Sequence, residues 1–375
     1  MVLLLMMAAC SAHSADSAAE KKPESLDFTL LGTYPVGNDG RSELITLKVA
    51  SSTELIAIRS TWPEGQSHPN FCFQLEEVRA DGTEQWVGKT TVSSENHTTC
   101  SECLHRVYMQ AGSGAFLFPN NGQSLPELSS LTFKVVLRDC LTALPVSADV
   151  DGPIPAHVVV ETGTLKNKPA AAGKRLSVAI VNASNSSITP EFMDVVMPLV
   201  QQAYQPIGVD IELVSLSDIA RPDGERLEYN GANMSLLGDL ADTAAKSIGH
   251  KQTVPIILTP CLHFENPLLQ ISNDVKAVVP HIPGGLVSPG SADAVFVSAE
   301  SCLFGPDSPA WLDADGLARI LAHELGHFLG LYHVPDHLGT DPQSDNLMHP
   351  DELSVAFIIN PTQADVIRRH PWLKE

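Results

Sequence analysis

The chain has 375 residues, 43% of them hydrophobic and 18% charged, which is enough apolar material to fill two cores. Its formal charge of −21, from 44 Asp and Glu against 23 Lys and Arg, leaves no basic stripe to neutralise phosphates and argues against a nucleic-acid partner. No segment reaches the roughly 18 apolar residues of a membrane-spanning helix.

Residues 1–25 read as a signal and tether. MVLLLMMAAC is a short apolar run ending in small residues and a cysteine, as in a secretory leader. Met6-Met7-Ala8-Ala9-Cys10 resembles a bacterial lipobox, which makes Cys10 the candidate for lipidation; plain secretion is the alternative. The expectation is an exported protein of the bacterial cell envelope, touching membrane only through that anchor. Six further cysteines, Cys72, Cys100, Cys103, Cys140, Cys261 and Cys302, fit disulfides within each half of the chain, a Cys261–Cys302 bridge among them. The pair Cys100 and Cys103, flanked by His97 and His105, also admits zinc or redox chemistry, the weaker reading outside the cytosol.

Residues 26–161 hold short β-branched and aromatic runs, ELITLKVA, LIAIRSTW, FCFQLEEV and LTFKVVLRD among them, with turn signals such as GNDG, ADGT and PNNG between. This spacing predicts an all-β, sandwich-like N-terminal domain. TGTLKNKPAAAGKR, residues 162–175, is poor in bulky apolar residues and reads as an interdomain linker open to proteases. From residue 176 to 375 the pattern is α/β: the buried-strand run RLSVAIVNA, a helix in SITPEFMDVVMPLVQQAYQPIG capped by Thr189 or Ser187, then the strand VDIELVSL. TVPIILT and DAVFVSA add strands, and HIPGGLVSPGS is a loop.

GLARILAHELGHFLG places Leu317, Ile320, Leu321, Leu325 and Phe328 at close to helical period, predicting a helix with one apolar face. His323 and His327 lie four apart on it, one turn from each other, so both can reach one metal ion. Glu324 is rotated by about 100° from His323, placed for a general base rather than a ligand. Were the helix to continue, His333 would lie about 15 Å along the axis from His323. Gly330 can take a positive φ, end the helix and bring His333 back as a third ligand. Three protein nitrogens leave a fourth tetrahedral position open, the mark of a catalytic zinc site.

This H-E-x-x-H-x-x-G-x-x-H pattern resembles the metzincin clan of zinc metallopeptidases, over about residues 174 to 373. SDNLMHP, residues 344–350, matches the clan's methionine turn, and NPTQADVIRRHPWL its closing helix. LGLYH is similar to the pappalysins and LMHP to the matrixins, with His349 where a tyrosine usually stands. The resemblance implies a mixed, twisted α+β sheet with an active-site helix, and one zinc per chain on His323, His327 and His333. It also implies Met348 as the floor of the site and Glu324 as the catalytic base. The expected activity is a zinc-dependent endopeptidase acting on proteins or peptides through a zinc-bound water activated by Glu324. His349 is placed to hydrogen-bond the transition state, with an ordinary surface histidine as the competing reading. Asp336, Asp341 and Asp345 could hold calcium, with a solvated loop as the competing reading. Two other functions are compatible with the sequence: a surface-anchored binding or adhesion protein with an inactive zinc domain, and a zinc amidase acting on cell-wall amides.

Overall fold

The computed structural model describes residues 26–68, 70–87, 110–120, 125, 128–142, 144–166, 173–186, 188–223, 226–230, 234–249, 252–266, 271–287, 293–299, 313–333, 346–349 and 357–374. Cys10, Cys100, Cys103, Cys302, Asp336, Asp341 and Asp345 lie outside them, as do His97 and His105.

The first part of the chain forms two antiparallel sheets. One has the order β1 (Thr29–Pro35), β9 (His157–Lys166), β3 (Thr53–Thr61), β7 (Gly114–Phe118). The other runs β2 (Ile45–Lys48), β8 (Ser130–Asp139), β4 (Phe71–Ala80), β5 (Glu84–Val87), with β6 (Gln110–Ala111) also paired to β4. Alternate residues of each sheet point inward: Ile56, Ile58, Phe116 and Val160 from the first meet Phe73, Leu75, Phe133 and Val135 from the second in one apolar cluster. A disulfide between Cys72 and Cys140 ties β4 to the residue after β8. The one-turn helix α1 (Ala148–Asp151), capped by Ser147, leads into β9.

Residues 162–166, expected to open the linker, are instead the end of β9, with Thr162 opposite Thr29 of β1 and Lys166 opposite Thr53 of β3. Small residues suit this position because Gly163 lies against Leu26, where an added Cβ would stand 2.7 Å from Cγ. Lys174 and Arg175 belong to the next strand, β10 (Lys174–Asn182), and the Lys174 ammonium is buried, donating to the Arg368 carbonyl at 2.8 Å. The connection between the strands is therefore only residues 167–173.

The second part is mixed α/β. Its main sheet has the order β11 (Val209–Asp218), β10, β13 (Val254–Thr259), β17 (Val295–Ser298), β16 (Ala277–Val278); all neighbours are parallel except β16 on β17. Every residue of β13 is buried, as its unbroken VPIILT run requires of a central parallel strand. Helices α2 (Pro190–Tyr204) and α4 (Ala314–Phe328) share one apolar cluster with the sheet, while α3 (Ser235–Ile248) covers the other face. Thr189 is the N-cap of α2, accepting from the Phe192 N–H, with Pro190 in the first turn. A smaller sheet, β12 (Arg226–Tyr229), β14 (Cys261–Asn266), β15 (Ile271–Val275), joins α3's cluster through Leu227, Tyr229 and Leu262, and α5 (Pro361–Arg369) is the last helix among the described residues. Cys261 is disulfide-bonded.

The two parts meet in an apolar seam. Leu286 packs in one cluster with Leu55 and Ala57 of β3, Ala115 and Leu117 of β7, and Leu165 of β9. Beside it, Arg369 of α5 donates to the carbonyl of Glu54 at 3.1 Å and to its carboxylate at 3.3 Å.

Candidate metal centre

Helix α4 begins where Asp313 accepts the N–H of Gly316 at 2.7 Å, and Asp315 pairs with Arg319 one turn on. Its apolar residues Leu317, Ile320, Leu321, Leu325 and Phe328 are buried in the cluster that also holds Met193, Val196 and Val200 of α2. The helix is thus pinned along its length, which fixes His323 and His327, both buried, at its C-terminal end.

The end of α4 is a Schellman cap. The Gly330 N–H bonds the His327 carbonyl and the Leu331 N–H reaches back to Gly326, both at 2.9 Å, with Gly330 at φ +98°. A residue with a Cβ would be strained at that φ, so glycine is what lets the chain reverse. The reversal brings the Nε2 of His333 to 3.1 Å from that of His323 and 3.2 Å from that of His327.

The carbonyls around the cluster define its chemistry. His323 donates from Nδ1 to Leu347 O at 2.7 Å, and His327 from Nδ1 to Leu331 O at 2.8 Å. A carbonyl can only accept, so in each neutral ring the hydrogen sits on Nδ1 and the Nε2 lone pair faces the cluster. Tetrahedral zinc at 2.0–2.1 Å from each nitrogen sets its ligands about 3.3 Å apart, close to the separations found. The three histidines therefore fit a metal ion without rearrangement.

Burial, and then the charge of a neighbouring histidine, lowers the pKa of His323 and His327 from 6.5 to about 3. In the chelated protein the unfolded chain binds more protons than the fold between these values. Stability is then level above pH 6.5 and falls as the pH drops through the window toward about 3. At about 1.4 kcal/mol per pH unit and ring, moving from pH 7 to 5 removes roughly 4 kcal/mol. Urea unfolding of the chelated protein at both pH values measures this, and equal stability would show that the rings take up protons within the fold.

Glu324 is buried next to His323, and Tyr204 of α2 feels its charge. That phenol is held well above its ordinary pKa, first by burial and then by Glu324, and its hydroxyl donates to Ala322 O at 2.7 Å. Met348 is fully buried beneath the helix, and its Sδ lies 2.6 Å from where a Cβ on Gly326 would be. The close approach of turn and helix thus depends on Gly326.

The turn carrying Met348 is held from α5. His349 N–H bonds Asn346 O at 3.0 Å, and Asn346 Oδ1 accepts the Met348 N–H at 2.9 Å. The Asn346 and Gln363 amides form a reciprocal pair, 2.9 Å each way, while Gln363 and Asn360 make the capping box of α5. The Leu347 carbonyl that orients His323 is thereby fixed. His349 follows the turn, partly buried, and its charge acts on His323.

Sequence reasoning missed Gly326, Asn346 and Gln363. A glycine inside a helix costs about 1 kcal/mol against alanine, and that cost was the available signal for Gly326. The amide pair spans residues too far apart for any local pattern to show.

No family model matches the sequence, and no curated protein does. Among solved structures, metalloproteinase-II from Bacteroides fragilis is 12% identical over 56% of this chain and 63% of that one, with a TM-score of 0.35. Archaemetzincin from Methanopyrus kandleri is 18% identical over 55% of this chain and 91% of that one, with a TM-score of 0.28. Mirolysin gives 13% identity over 53% and 90%, with a TM-score of 0.32. The chain thus spans less than two-thirds of the length of the Bacteroides protein. Likenesses this distant carry no argument about activity, which rests on the site.

Proposed function

We propose that the protein is a zinc-dependent endopeptidase of metzincin type, with His323, His327 and His333 as ligands and Glu324 as general base. The observation that supports it is the convergence of three Nε2 atoms, two of them fixed in tautomer by the carbonyls of Leu347 and Leu331. Bound zinc supplies Lewis acidity, polarising a peptide carbonyl and bringing the pKa of water down to about 7. The Glu324 carboxylate takes the proton of the attacking water and returns it to the departing amine nitrogen. Leu347 O and Leu331 O keep the ligand rings in place throughout, and Met348 closes the floor against water.

The purified protein is expected to contain about one zinc per chain. Casein cleavage should stop on chelation and return with zinc, and His327→Ala should lose the metal because two protein ligands hold it poorly. A metal analysis that finds no stoichiometric zinc would sink the assignment.

A further inference from the structure

We propose that Ser272, His263 and Asp274 form a second, metal-independent nucleophilic centre that accepts acyl groups from activated esters. The three lie on the small sheet of β12, β14 and β15. Asp274 Oδ1 is 2.7 Å from His263 Nδ1, and His263 Nε2 is 3.1 Å from Ser272 Oγ. His263 and Asp274 are directly opposed in the β14–β15 ladder. Ser272, two residues before Asp274, shares its face and stands diagonal to His263. The opposite face, with Leu262 and Val275, belongs to the apolar cluster under α3, so the sheet is anchored on one side and polar on the other.

Each member meets the requirement of its role. The Asp274 carboxylate takes the Nδ1 hydrogen, leaving the Nε2 lone pair to accept from the serine hydroxyl. The His263 and Asp274 side chains are only 8% and 15% exposed, whereas Ser272 is exposed and open to a substrate. Arg226 Nη2, 3.4 Å from the other Asp274 oxygen, holds the carboxylate turned toward His263. Among the described residues β15 is the outer strand of its sheet. Alternate N–H groups of an antiparallel edge strand point away from its neighbour, so the N–H of either Ser272 or Asn273 is directed outward as a donor to a developing oxyanion.

In the reaction Ser272 Oγ attacks the ester carbonyl carbon, and the C–O bond forms as the hydroxyl proton passes to His263 Nε2. The alkoxide or phenoxide leaves with that proton. Water, deprotonated by the same nitrogen, then adds to the acyl carbon; the bond to Oγ breaks, the carboxylic acid departs, and the proton on Nε2 returns to Ser272 Oγ. A serine on a flat strand lacks the strained geometry of a sharp strand-to-helix turn, so the class of substrate is activated esters rather than amides, and a fluorophosphonate reacts at the same Oγ with loss of fluoride.

The test uses the full chain carrying Glu324→Gln and held in chelator, so that a failure of the metallopeptidase reading cannot affect the outcome. A fluorophosphonate probe is expected to label Ser272, located by peptide mass mapping, and p-nitrophenyl acetate to be hydrolysed. Ser272→Ala should remove the label, and Ser272→Ala, His263→Gln and Asp274→Asn should each lower the ester rate at least about tenfold. Circular dichroism establishes that each variant is folded; should His263→Gln fail to fold, Ser272→Ala and Asp274→Asn decide. No label on Ser272, or an ester rate unchanged in Ser272→Ala, would overturn the proposal and leave the three residues as a cross-strand brace.

Discussion

Replacing Glu324 by Gln is expected to lower kcat/KM on casein by about 10²–10⁴-fold, equivalent to roughly 3–5 kcal/mol of transition-state stabilisation, with metal content unchanged. The side chain is buried on the helix that carries His323 and His327. The amide has nearly the same shape, so packing and the three histidines are preserved. What it lacks is a carboxylate able to take a proton from water and deliver it to the amine nitrogen. A ligand role predicts something different, namely loss of metal along with activity. Steady-state kinetics, metal analysis and circular dichroism on the same preparation separate the two, and activity within threefold of the unaltered protein would remove Glu324 from the mechanism.

Cutting the connection between the two parts is expected to leave them bound to each other. Lys166 is paired in β9, the Lys174 ammonium is buried and Lys168 precedes Pro169, a bond trypsin does not cut, so the cut is made at a specific protease site introduced within residues 169–172. After the cut, Leu286 still sits among Leu55, Ala57, Ala115, Leu117 and Leu165. Burying Leu55, Leu117 and Leu286 contributes roughly 1.5–3 kcal/mol each, a sum comparable with the 5–15 kcal/mol that holds a whole domain folded. The nicked protein should therefore co-elute as one species that retains zinc. The C-terminal piece separated in urea and refolded alone should bind zinc at least about tenfold more weakly, because Leu117 also packs against Gly330, the residue that returns the chain to His333. A separated piece with unaltered zinc affinity would show that the seam does not support the site, and that the second part is an independent domain.

The elements nearest the chemistry were the most legible. The offsets from His323 to His333, with Gly330 between them, encode both the helix and its reversal in eleven consecutive residues, so most of what brings the three histidines together is local. Thr189 before Pro190 marks a helix start for the same reason, since capping is decided within one turn. TGTLK was misread because its small residues look unstructured by composition, while their pairing partners, β1 and β3, lie more than a hundred residues earlier. The same distance hides the seam, where Leu286 looks like one apolar residue in a Gly/Pro-rich loop until β3 and β7 are beside it. Likewise the Asn346–Gln363 amide pair and the Ser272–His263–Asp274 cluster arise from turns and strand register, which no periodicity announces.

The clamp by which α5 holds the methionine turn bears on the order in which the molecule is made. A ribosome delivers His323, His327 and His333 well before Gln363, whose amide fixes Asn346 and with it the carbonyl that aims His323. Lys374 then pairs with Arg175 through two backbone bonds of 2.8 and 2.9 Å, joining the last described residue to the first strand of its sheet. A nascent chain carrying the complete histidine motif consequently lacks an oriented His323 until Gln363 emerges. A chain truncated before Gln363 would contain all three histidines without the part that sets the aim of His323.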